Sequence, residues 1–190
     1  MVVMAAVFST YLYLGRNLTR LSFRNVMEGQ SRNILRTLTI DIQNTKSLIS
    51  ATNTGLALTV DNQNPLNGPV PTMKVVYAYD GSTNKLIRRT SQLDDSGPVT
   101  ATLNHDIGDN NVQVPVAMLN FNFLYYITTG GSPVSQFNST IVPISIKQVA
   151  ISFTLQAGDP AIQGQQGTLS SYPVASGRMP LLNRQFLDGS

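Results

Sequence analysis

"MVVMAAVFSTYLYLGRNLTRLSFRNVMEGQSRNILRTLTIDIQNT", residues 1–45, decides how this chain is read. From Tyr11 to Ser50 there is no proline, and the only glycines are Gly15 and Gly29. Leu14, Leu18, Leu21, then Ile34 or Leu35, Leu38, Ile42 and Ile49 recur at intervals that are mostly three, four or seven, the spacing of one helix face. The pattern predicts one helix from about residue 2 to about residue 48, roughly 70 Å long at about 1.5 Å per residue. A small domain cannot cover such a length. Part of the helix is expected to project and to be buried by something else.

The charges divide this segment. Met1–Leu14 carries no charged side chain, whereas Arg16, Arg20 and Arg24 follow at intervals of four and share one polar face. As a helix, Met1–Leu14 covers only about 20 Å, against the about 30 Å of a bilayer core. Tyr11 and Tyr13 suit a place where an apolar anchor meets water. The stretch is read as the second half of a membrane anchor. Burial in a soluble homo-oligomer or a coiled coil is the other reading. Residues 1–24 are accordingly taken as an apolar membrane or filament-core helix half. Residues 25–190 are taken as a globular domain that includes the rest of the helix.

Composition narrows the class. Charged residues make up 12% of the 190, about half the usual share, so the surface must be largely neutral and polar. Cysteine is absent, which excludes disulfides, thiol nucleophiles and cysteine metal sites. The net charge of +3 sits on the N-terminal segment, where residues 1–46 hold six basic and two acidic side chains. The remainder has no clustered basic face, and no nucleic-acid partner is expected.

Beyond the helix the chain reads as strands. Gly55–Val60 is a short candidate. Met73–Tyr79 and Lys85–Thr90 flank Asp80–Gly81, a hairpin signal. A short strand is placed near Val99–Leu103. In "VQVPVAMLNFNFLYYI", Leu119, Phe121, Phe123 and Tyr125 alternate as one apolar face. Val149, Ile151, Phe153 and Leu155 do the same in the last long strand, and the tail after Gly158 is read as surface loop. The expected fold is α+β: a long N-terminal helix packed on a small antiparallel sheet of four to six strands.

No catalytic constellation emerges, and the chain is not read as an enzyme. His105, the single histidine, lies beside Asp106 in a polar loop without a nucleophile. "DIGDNN" offers oxygen ligands, so Asp106 and Asp109 are candidate ligands of a structural calcium; a solvated acidic loop is the competing reading. Of Arg88 and Arg89, strand alternation turns one outward and the other towards the helix or an edge, and salt bridging to a neighbour is favoured over phosphate binding. Asn138 carries an N-x-S glycan acceptor pattern.

The combination resembles the type IV pilin superfamily, and within it the minor pilins and type II secretion minor pseudopilins. The resemblance is carried by residues 1–45, with "RNILRTLTIDIQN" (Arg32, Leu35, Leu38, Asp41) as its core. "VVYAYDGSTNKLIRR", "MLNFNFLYY" and "VAISFTL" follow in an order similar to that of the J-type or W-type members. It implies a filament subunit with a pilin-like fold, acting in initiation, capping or surface modification of a pilus or secretion pseudopilus, without a cofactor. The implied partners are other pilin or pseudopilin subunits and an inner-membrane assembly platform. The implied location is the bacterial inner membrane, single-pass with a periplasmic domain, or a cell-surface filament. Mature family members carry a glutamate at their fifth position; no residue here inherits that role, which aligns Met1 several residues inside the family's apolar helix.

Val2, Val3, Val7, Phe8, Leu12 and Leu14 are then expected to serve helix packing and membrane insertion. Leu18, Leu21, Leu35, Leu38 and Ile42 are expected to contact other subunits or the chain's own sheet. Two other classes stay open: an extracellular adhesion or binding module using loops 104–111 and 128–140, and a self-assembling shell protein.

Overall fold

A computed structural model describes residues 2–61, 72–109, 112–127, 146–158 and 169–181. Helix α1 runs over Val2–Gln43 without a break. At about 1.5 Å per residue it is roughly 63 Å long. Its end is closed by Asn44 N, which donates to Ile40 O, and by Thr45 Oγ1, which donates to Asp41 O.

The helix ends earlier than its apolar spacing suggests. Thr45–Thr52 is a strand, β1, not a further turn of helix. It pairs antiparallel with β2 (Gly55–Asp61), with irregularities at Thr45/Ser47 and Leu48/Ser50. Ile49, seven residues beyond Ile42, belongs to this exposed, bulged edge and not to the helix face.

Strands β3 (Thr72–Asp80), β4 (Lys85–Ser91) and β5 (Val99–Thr102) complete a five-stranded antiparallel meander in the order β1-β2-β3-β4-β5. The β3–β4 turn follows Asp80–Gly81 as expected. Asp80 Oδ1 and Oδ2 accept from Ser82 and Thr83, and Asn84 takes a φ of 54°, which asparagine tolerates. A short hairpin, β6 (Ile107–Asp109) and β7 (Val112–Val114), leads to the second sheet.

That second sheet corrects the expected architecture. β8 (Val116–Tyr126) and β9 (Gln148–Gly158) pair along their length, and β10 (Leu169–Ala175) and β11 (Met179–Pro180) line the other side of β9. The chain is thus one helix followed by two antiparallel sheets, and it is mostly sheet. It is not a pilin-like helix on one small sheet. The helix stripe and apolar residues of both sheets share one core, so one helix stripe is no longer the only cover.

The sheets meet edge to end. Met118 N donates to Asn84 O, and Phe123 N to Asn53 O, so the turns of the first sheet cap the outer edge of β8. Tyr79 on β3 stacks on Phe121 of β8 at 5.2 Å, and Phe121 meets Phe123 edge-on at 5.0 Å. A bulge between Leu119 and Asn122, with Asn120 at φ 53°, shifts the alternation. Inward residues are therefore Val116, Met118, Phe121, Phe123 and Tyr125; Leu119 leaves the expected set and Met118 enters.

Candidate functional site

Burial along α1 begins late. Phe23 is the first buried apolar side chain, followed by Met27, Ile34, Leu38 and Ile42, which join both sheets in one core. At about 100° per residue these five form one stripe. Leu35 packs against its margin. Leu35, Leu38 and Ile42 therefore serve contact with the chain's own sheets.

The N-terminal part of the helix is the reverse. Val3, Val7, Phe8, Leu12 and Leu14 are exposed, as are Leu18 and Leu21; the side chain of Val2 lies outside the described set. Met4 (78% exposed), Val7 (62%), Tyr11 (74%), Leu14 (53%), Leu18 (66%) and Leu21 (56%) follow one another at intervals of three and four. These are alternating a and d places of three successive heptads. The row lies roughly 160° round the helix from the core stripe, at about 100° per residue. The globular domain leaves it exposed and comes near it only at Leu21.

Two hydroxyls of this part bond back to the helix: Thr10 Oγ1 donates to Ala6 O and Thr19 Oγ1 to Gly15 O. Ala6, Val7, Thr10, Tyr11 and Leu14 line a shallow apolar depression along the row. The row ends where Asn25 and Glu28 take the next a and d places, Glu28 being held by Arg32.

The buried half is locked by charge as well as by packing. Asp41 accepts from Arg88 Nε at 2.8 Å and Nη2 at 3.1 Å, and from the Tyr77 hydroxyl. Arg88 thus turns towards the helix. Burial first, and then the neighbouring Asp41 carboxylate, push the Tyr77 phenol well above its usual range. A second polar hub sits at the other end of the first sheet. Asn104, fully buried, receives from Leu86 N and donates to Asn84 O and Val116 O.

The other expected sites separate in space. Asp106 Oδ1 accepts from Lys85 Nζ and Val116 N, and the lysine holds its carboxyl below the usual range. One oxygen of the Asp106 carboxylate is thus already engaged. The side chain of Asp109 and all of Asn110, Asn111, Asn138 and loop 128–140 lie outside the described residues. Among the described residues no three His, Cys, Asp or Glu side chains gather as a metal site. His105 is exposed, and its carbonyl accepts from Gln30.

The helix does not bear out a membrane span. No helix among the described residues is long and apolar enough to cross a membrane. Along α1, Arg16, Arg20 and Arg24 follow the charge-free residues 1–15. The reading of a single-pass inner-membrane protein with a transmembrane helix is corrected accordingly.

No family model, curated protein or solved structure matches this chain. Pilin and secretion membership therefore receives no support from family evidence.

Proposed function

We propose that this chain is a structural subunit that assembles through the exposed row on α1, building filaments of the type formed by type IV pili or type II secretion pseudopili. The observation that carries the reading is the row itself: Met4, Val7, Tyr11, Leu14, Leu18 and Leu21, exposed, in heptad spacing, on the side of the helix turned away from the domain. Exposure of so many large apolar side chains is costly in water. Burying each against a neighbouring helix is worth about 1.5–3 kcal/mol. The domain below supplies a rigid base, because Phe23 to Ile42 are fixed in the core and Asp41 is tied to Arg88. The resemblance of residues 1–50 to the apolar helix of that superfamily agrees with this use. The partners are then other copies or related subunits, and the work done is initiation, capping or surface modification of the filament.

A shell built from the same contacts would use the same row, and assembly geometry separates the two. The test is Val7→Asp combined with Leu14→Asp in the full chain. Sedimentation and electron microscopy are expected to show filaments for the parent chain and monomers for the variant, with unchanged sheet circular dichroism. Filaments that form undiminished in the variant would refute the reading, and closed particles from the parent chain would favour a shell.

A further inference from the structure

Arg20 and Arg24 stand on the side of α1 that becomes the buried stripe from Phe23 onward, at about 100° per residue. They do not enter the core. Beside them an open groove of about 480 Å³ separates the helix from β10. Arg20, Leu21 and Arg24 form one wall, and Ser170, Ser171 and Tyr172 the other.

Two cations one helical turn apart line the groove. Arg32, Lys46, Lys74, Lys85 and Arg88 each hold a carboxylate of this chain. Among the described residues, the side chains of Arg20 and Arg24 hold none, and no carboxylate lines the groove. Two like charges one helical turn apart repel each other, so intrachain stability gives no reason for the pair. Guanidinium forks match the oxygen spacing of phosphate, and serine hydroxyls can donate to its remaining oxygens. Leu21 and the Tyr172 ring give the groove an apolar side. Leu18 and Leu14 continue that apolar surface along the helix. The volume falls within the about 300–1,000 Å³ of small-molecule sites.

We propose that this groove binds the phosphate group of an anionic amphiphile, with Arg20 and Arg24 on the phosphate and the ligand's apolar part along Leu21 and Leu18. The site shares Leu18 and Leu21 with the assembly row, whereas Arg20, Arg24 and the β10 serines lie outside that row.

The test uses the full chain with three probes: inorganic phosphate, dihexanoyl phosphatidylglycerol below its micelle concentration, and dihexanoylglycerol, which has the same tails without phosphate. Titration followed by amide NMR is expected to show phosphatidylglycerol perturbing Ser170, Ser171 and Tyr172, with dihexanoylglycerol without effect there. Arg20→Gln and Arg24→Gln are each expected to weaken binding by about tenfold, the worth of one lost charge-assisted hydrogen bond. Arg24→Lys, which keeps the charge, is expected to recover part of the loss. The double glutamine variant should melt like the parent chain, because both side chains are exposed. Inorganic phosphate binding the same residues as tightly would keep the oxyanion site and assign it a soluble phosphate. Absence of binding by both phosphate probes, or binding unchanged in the double variant, would overturn the proposal.

Discussion

Arg88 Nε donates to Asp41 Oδ2 at 2.8 Å, tying the helix to the fourth strand across 47 positions of sequence. Tyr77 adds its hydroxyl to the same carboxylate. Asp41 is nearly buried and Arg88 about a quarter exposed, so the pair is screened much less than a surface one. Asp41→Asn removes the counter-ion and leaves a guanidinium partly out of water. The expected loss is about 2–4 kcal/mol, somewhat below that of a fully buried pair. Urea unfolding checks it. Replacing both partners together, Asp41→Asn with Arg88→Met, should recover part of the loss, since no charge is then stranded.

Asn104 offers a sharper local test. Its amide bonds one backbone N–H and two backbone carbonyls from two segments, the Asn84–Leu86 turn and the start of β8. Asn104→Ala leaves Leu86 N buried without its partner, while Asn84 O keeps Met118 N and Val116 O keeps Lys85 Nζ. The expected cost is about 1–3 kcal/mol, the penalty for a buried group that water cannot reach. Asn104→Asp keeps the acceptor but loses the donors, and thermal unfolding should place it no higher than the parent.

Stability should respond to pH at both ends. Hydrogen bonds from Ser82 and Thr83 lower the Asp80 carboxyl from 3.8 to about 2. A carboxylate whose folded value is depressed stabilises the fold above its unfolded value and loses that contribution as pH falls towards the folded one. The loss is therefore expected between about pH 4 and pH 2, and Asp80→Asn should flatten this part of the curve. At high pH the sign reverses. Burial raises the Tyr77 and Tyr125 phenols, so their neutral forms stabilise the fold up to their unfolded value near about 10 and cease to do so as pH rises beyond it. Absorbance at 295 nm should show these two tyrosines ionising only with unfolding.

Two leucines of one helix should behave oppositely. Leu38 is fully buried, and Leu38→Ala is expected to cost about 2–5 kcal/mol in monomer stability. Leu18 is 66% exposed, and Leu18→Ala should change monomer stability by less than about 0.5 kcal/mol while lowering assembly. Guanidinium unfolding and sedimentation, run on both variants, separate the two effects.

Legibility in the sequence followed the range of the determining contacts. The β3–β4 hairpin was readable because Asp80 and Gly81 set the turn locally, and β9 because Val149 to Leu155 alternate without interruption. β1 was not readable: Leu48 and Ile49 continue the helix spacing, and only pairing with β2 turns them into strand. β10 reads as loop because its sequence holds two serines and Pro173; an edge strand tolerates a proline that a central one does not. The bulge at Asn120 shifted the inward face of β8 by a residue, which no alternation count reveals. Among the site residues, the division of the helix leucines into core and exposed sets needed the sheets in place. Heptad spacing of Met4 to Leu21 was present in the sequence, but exposure gave it meaning. The Arg20–Arg24 groove depends on β10 and was invisible without that strand.

The central claim is that the exposed row on α1 is an assembly seam. The absence of native cysteine allows single-thiol probes to read it directly. Leu14→Cys places a thiol on the row, and Ser9→Cys places one on the opposite side of the same exposed segment. The rate of maleimide labelling is measured for each in the assembled full chain and again after dilution to monomer. Labelling of Leu14→Cys slowed by about tenfold or more on assembly, with Ser9→Cys slowed less, is the expected result. Equal labelling rates at the two positions before and after dilution would contradict the seam.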